Sequence, residues 1–301
     1  MSNNSLPESL HRHAIAGRVE IITGRNGLPC AKIMTPWSTA EIYLLGAHVT
    51  AFQKNGEPPL LFLSAKSRFA PGQAIRGGVP ICYPWFGPRP DEPIHGYARL
   101  ADWQLLQTRA TPAGAVTLWL ALPPVAGRET WQSLRTEFII TVAETLTMEL
   151  ITTNDACGET VTLENCLHTY LQIGDINAIS LTGLETVPFN DFAHGANGAP
   201  RPAENAPLRI TQETNRVYPR HAAAVAIRDE KFKRVIRVEK SGSQSTVVWN
   251  PWTTQKMPDD WGTNEHLNMV CVESGNVKQD KISLAPGQTT ALKVVVGSEK
   301  F

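Results

Sequence analysis

The sequence lacks the common signatures of cofactor-driven chemistry. It has no GxxxxGK[ST] phosphate loop, no GxGxxG after a strand, no HExxH and no GxSxG elbow, which removes most routes to nucleotide hydrolysis, hydride transfer and zinc hydrolysis. It also lacks charge bias, with 28 Lys+Arg against 28 Asp+Glu in 301 residues. A neutral chain exerts no bulk attraction on nucleic acid or an anionic membrane surface. No apolar run reaches the roughly 18 residues that span a bilayer. The segment Met1 to Arg12 is polar, without the apolar core of an export signal. Cysteine is scarce and unpaired in pattern: Cys30, Cys82, Cys157, Cys166 and Cys271 are odd in number and show no CxxC spacing. That argues against a disulfide framework and against a zinc site. The expectation is a soluble, cytoplasmic protein.

Helical periodicity is missing too, since no stretch of about 12 residues keeps a 3.6-residue apolar stripe. What is present is strand signal. The run Thr39–Phe52 is β-rich and broken at Gly46, and Ser133–Val142 and Leu146–Thr153 form the clearest pair across a short Ala143–Thr145 link. Leu146, Met148 and Leu150 alternate with Thr145, Thr147 and Glu149, a period of two. Further strands are expected at Ala115–Leu122, Thr160–Cys166, Ala223–Arg228, Arg234–Glu239, Thr246–Asn250, Met269–Glu273 and Thr290–Val296. Ile282–Leu284 and Thr289–Val296 read as a hairpin around Pro286-Gly287. Asp191–Asn205, rich in Ala, Gly, Asn and Pro, reads as a long loop. Frequent strands without intervening helices predict an all-β fold, a large antiparallel β-sandwich, in a single domain over 1–301 with residues 1–15 as a loosely ordered segment.

Several clusters carry residue types suited to chemistry. Gln73 to Pro88 contains Arg76-Gly77-Gly78 and then Tyr83, Trp85 and Phe86. A guanidinium fork matches phosphate or carboxylate, the glycines let a ligand approach the backbone, and the aromatics would floor a sugar-sized pocket. In His95-Gly96-Tyr97-Ala98-Arg99, an extended chain would point His95, Tyr97 and Arg99 to one face. His168 follows the strand-like Thr160–Leu163, where an imidazole is a plausible acid or base near neutral pH. In Met269–Ser274, Val270 and Val272 face one way and Cys271 and Glu273 the other. A carboxylate in an apolar strand is costly unless solvated, paired or functional. Trp249 and Trp252 flank Pro251, where indole faces suit sugar C–H surfaces. Singly, each cluster has an ordinary structural explanation.

Their order in one chain is more specific. Ile75–Pro80, Trp85–Pro88, His95–Arg99, Leu167–Tyr170, Val248–Trp252 and Val270–Glu273 together resemble the hexose-6-phosphate mutarotases, or glucose-6-phosphate 1-epimerases, a branch of the aldose 1-epimerase (galactose mutarotase-like) superfamily. The resemblance runs from about Ala40 to Val296. It implies a β-sandwich with a concave active site and no cofactor. It also implies His168 as general acid, Glu273 as general base, Arg76 and Arg99 as the phosphate pair, and Gln73 and His95 as further substrate contacts. The implied reaction interconverts α and β anomers by opening and closing the sugar ring, with the two groups on opposite sides of C1. One position departs from the family pattern: Thr214-Asn215-Arg216-Val217-Tyr218 carries Asn215 where the family usually has an Asp that contacts the sugar. Asn keeps one acceptor and loses the charge, and Asp191 is not expected to replace it. The expected partner is a small sugar phosphate, with no nucleic acid, no membrane and a monomeric state. Alternatives are a mutarotase for another aldose or phosphosugar, or a sugar-phosphate binding or regulatory protein on the same scaffold.

Overall fold

A computed structural model describes residues 6–128 and 131–301. Of the N-terminal segment, residues 1–5 lie outside the described residues. Glu8–His11 forms one helical turn, and Leu6 and Leu10 rest against the main core.

The alternating sequence patterns become antiparallel strands because each puts one apolar face inward. Leu134–Val142 and Leu146–Asn154 pair in the expected register, and Val116–Ala121 joins them with strictly alternating burial. They belong to an eight-stranded antiparallel sheet ordered Ile179–Thr182, Val225–Asp229, Arg234–Ser241, Thr289–Lys300, Leu146–Asn154, Leu134–Val142, Val116–Ala121 and Gln104–Ala110. Against it lies a second sheet. Its order is Ala199–Arg201, Phe189–Asp191, Thr214–Pro219, Ser245–Asn250, Met269–Asn276, Asn165–Leu167 and Ile81–Cys82, with Tyr170–Gln172 also pairing on Met269–Asn276. One apolar cluster takes Val248, Val270 and Val272 from this sheet and Phe138, Leu150, Ile236 and Val294 from the other. The two sheets therefore share a core, as a sandwich must. The run Thr39–Phe52 forms two strands of a separate four-stranded sheet, Ser38–Tyr43 and His48–Lys54, turning at Gly46.

Three expectations are corrected. Ile282–Leu284 and Thr289–Lys300 do not form a hairpin. The turn exists, with Gln288 N–H on the Ala285 carbonyl, but the first strand pairs with Val161–Leu163 and the second with Leu146–Asn154 and Arg234–Ser241. Thr160–Cys166 is two strands in two sheets, Val161–Leu163 and Asn165–Leu167, parted at Glu164. That carboxylate turns aside to accept from Phe86 N–H (3.1 Å) and Lys278 N–H (2.6 Å). The stretch Asp191–Asn205 is not all loop, because Ala199–Arg201 pairs back on Phe189–Asp191.

Candidate active site

The strand Met269–Asn276 is buried at every position. Its even face, Val270 and Val272, enters the core between the sheets; on the opposite face Glu273 reaches the floor of a cavity of about 590 Å³, while Met269 and Cys271 pack with Phe62, Tyr170 and Trp261. The neighbouring strands give the same alternation, with Val247 and Trp249, and Asn215 and Val217, facing the cavity. This explains why Glu273 is 1% exposed without lying in the apolar core.

His168 lies between Asn165–Leu167 and Tyr170–Gln172, two short strands that both pair on Met269–Asn276. Leu167 stands opposite Ser274 and Tyr170 opposite Cys271, so the register carries through the gap and sets His168 opposite Glu273. Facing residues on antiparallel strands share one face. His168 Nε2 is 3.3 Å from Glu273 Oε1. The imidazole stacks on Tyr170 at 4.7 Å and meets His95 and Trp249 edge-on at 5.7 and 6.0 Å. Cys166 Sγ donates to Glu273 Oε2 at 3.7 Å. The imidazole and the carboxylate sit side by side at the cavity floor.

Burial disfavours charge on both groups. It pushes the Glu273 carboxyl well above the usual carboxylate range, opposed by the Cys166 thiol and the Arg99 charge. It lowers His168 to about 3, with the Arg99 and Arg76 charges acting in the same direction. His95 is lowered as well, first by burial and then by Arg99. Gly87 N–H donates to His95 Nδ1 at 3.2 Å, which leaves its proton on Nε2.

Arg76 and Arg99 both line the cavity. Arg76 is tied to Asp260 at 3.3 Å and lies beside the Tyr170 hydroxyl. Arg99 donates to the Ile94 carbonyl at 2.6 Å; its Nε is buried without a partner, and no carboxylate lies within ion-pair distance among the described residues. Lys256 and Lys278 also line the cavity, where Glu273 is the one acid among the described lining residues. A neutral molecule thus concentrates positive potential in one hollow, as anion capture requires. A hollow of about 870 Å³ over the four-stranded sheet holds, among the described residues, a single ion pair, the solvated Lys32–Glu41 contact at 3.4 Å.

The structure brings together His168, Glu273, Arg76, Arg99, His95 and Asn215, and leaves out Gln73, which is exposed and outside the cavity. Other details of the sequence reading change. Residues 95–99 are not extended: His95 and Gly96 have positive φ, Ala98–Leu100 is a 3₁₀ turn, and Tyr97 turns away onto Trp85. Of the three neighbouring aromatics only Phe86 reaches the cavity; the Tyr83 hydroxyl accepts from Thr136 Oγ1 in the core, and Trp85 donates to the Pro93 carbonyl. Gly77 and Gly78 give close approach to protein, not to ligand: a Cβ there would stand 2.5 Å from the Phe62 oxygen and 2.3 Å from the Val49 oxygen. Trp252 packs on His266, away from the cavity. Asp191 pairs with Arg201 at 3.6 Å and does not replace the missing acid at Asn215. The cavity residues Lys278, Phe192 and Gln255 carry no local motif that would single them out, although Gln255 accepts from Trp249 Nε1–H at 3.0 Å.

The fold is a two-sheet β-sandwich with a buried carboxylate and imidazole side by side in a basic cavity. The Aldose 1-epimerase family matches residues 31–297, and the chain belongs to that family. It is an epimerase of the mutarotase type, acting on a sugar. It is 34% identical over 261 residues to a protein of Cenchrus ciliaris named "putative glucose-6-phosphate 1-epimerase", covering 83% of this chain and 78% of that one. A protein of the same name from Escherichia coli K12 is 32% identical, covering 79% and 80%. The crystal structure of a "putative mutarotase" from Salmonella typhimurium superposes with a TM-score of 0.87 at 26% identity, covering 96% of each chain. No helix among the described residues is long and apolar enough to cross a membrane.

Proposed function

We propose that this enzyme interconverts the anomers of hexose 6-phosphates, glucose 6-phosphate above all. The observation that carries the proposal is the 3.3 Å His168–Glu273 contact on the floor of a cavity that also holds Arg76 and Arg99. Glu273 takes the proton from the O1 hydroxyl while His168 protonates the ring oxygen as the C1–O5 bond breaks. The carbonyl face turns, and closure runs both transfers in reverse. O1 and O5 share one carbon, so neighbouring groups can reach both without flanking the sugar. Burial raises the Glu273 carboxyl, which makes its carboxylate form a stronger base toward the O1 hydroxyl.

Arg76 and Arg99 bind the 6-phosphate, remote from C1, and hold the sugar for the transfers. Burial first, and then their charges, depress His168 in the empty site; a phosphate dianion offsets only the charge contribution. His95 Nε2–H and Asn215 hydrogen-bond the sugar hydroxyls. The names of the Cenchrus and Escherichia relatives support the phosphosugar, as does the excess of cations over acids in the cavity lining. The test is anomer exchange by magnetisation-transfer NMR on glucose 6-phosphate, glucose and galactose. Stronger acceleration of the phosphosugar is expected; equal acceleration of all three would contradict the phosphate assignment.

A further inference from the structure

Cysteine spacing along the chain gives no hint of a metal site, but the fold assembles one donor set from two strands. His168, Cys271 and Glu273 each offer a ligand atom, and these atoms all lie within 4.8 Å of one another. We propose that this cluster is an inhibitory binding site for a thiophilic divalent cation of the zinc type, held by His168 Nε2, Cys271 Sγ and a Glu273 oxygen. The proposal rests on the reading of His168 and Glu273 as the catalytic pair, because the metal would occupy the two groups that move protons.

The backbone arranges the donors in advance. Cys271 and Glu273 are two apart on one strand, so they share a face, and His168 stands opposite Glu273. Zinc bonds to nitrogen at about 2.0–2.1 Å and to sulfur at about 2.3 Å, so tetrahedral ligands sit roughly 3.3–3.7 Å apart. His168 and Glu273 are already at 3.3 Å, and the thiol needs a side-chain shift of about an ångström to join them. A nitrogen, sulfur and oxygen set favours zinc over magnesium or calcium, whose preferred ligands are all oxygen. His168 and Glu273 line the cavity, from which water would complete the coordination. Resident zinc sites orient their histidine by a hydrogen bond from its other nitrogen, and His168 Nδ1 is buried with no such partner. That favours reversible occupancy over permanent retention.

The test uses a Cys157→Ser background, which removes the exposed thiol. Cobalt(II) serves as the optical probe and zinc(II) as the inhibitor. A thiolate-to-cobalt charge-transfer band in the near ultraviolet is expected, together with zinc inhibition of anomer exchange that EDTA reverses. Cys271→Ala should lose the band and weaken zinc inhibition at least ~10-fold, in line with loss of one ligand, while keeping its metal-free activity; Cys271→Ser serves if the alanine variant misfolds. No band in the parent protein overturns the proposal, as does a band unchanged in Cys271→Ala. So does a band that disappears in Cys166→Ala and not in Cys271→Ala. The band is read without turnover, so failure of the catalytic assignment leaves this result interpretable.

Discussion

At the scale of single residues, the two arginines of the cavity are not equivalent. Arg76 is already neutralised by Asp260, whose Oδ1 is buried without a partner, so removing Arg76 would strand a buried carboxylate. Arg99 has no such acid beside it, and its loss is the cleaner probe of phosphate binding. A hydrogen bond to a charged group contributes about 1.5–3 kcal/mol, so Arg99→Ala is expected to raise KM for glucose 6-phosphate roughly 10–100-fold, with far less effect on unphosphorylated glucose. Equal losses on both sugars would show that Arg99 does not bind the phosphate. The arginines and the histidine–carboxylate pair were legible in the sequence only in combination, because each lies in a short motif whose meaning depends on the others. Lys278 was not legible: it enters the cavity through a turn with φ +57°, placed by the Glu164 carboxylate on its N–H. No local pattern encodes that contact across 114 residues.

At the scale of elements, period-two alternation located the long strands well, since alternation is a local consequence of one buried face. Pairing was a different matter. The Pro286-Gly287 signal correctly marks a turn, yet the strands on either side leave for different sheets, and only the tertiary fold decides that. The two glycines after Arg76 show the same limit, because their purpose is the approach of the Phe62 and Val49 backbones. Gly78 has φ +61°, and a Cβ there would also lie 2.8 Å from His48 Nε2. Gly78→Ala should therefore cost more than about 2 kcal/mol in urea unfolding, combining a strained backbone with a clash. Gly56→Ala is the control: φ is +72° but nothing lies within 4 Å, so its cost should be about 1 kcal/mol. Equal costs would show that the close packing beneath Arg76 is not what requires glycine.

At the scale of the whole molecule, the sandwich buries several ionisable groups uncharged in order to enclose the site. His48, wholly buried and bonded to the Gly77 carbonyl at 2.7 Å, is lowered by desolvation to about 4, and His168 to about 3. A histidine whose folded pKa lies below its unfolded value of about 6.5 binds fewer protons in the folded state. Its stabilisation is full above that value and is lost as pH falls toward the folded pKa. Glu273 acts with the opposite sign, since a raised carboxyl stabilises below its unfolded pKa and loses that contribution as pH rises. Between pH 6.5 and 4 the histidines should dominate, so Tm should fall as pH falls across this range, and less steeply in His48→Gln; a flat Tm would contradict neutral burial. The most direct test of the central claim concerns the pair at the cavity floor. In magnetisation-transfer NMR, wild-type enzyme should accelerate anomer exchange of glucose 6-phosphate, and Glu273→Gln, nearly isosteric but unable to accept a proton, should return it to the spontaneous rate. Exchange by Glu273→Gln at the wild-type rate would contradict the assignment of Glu273 as the base.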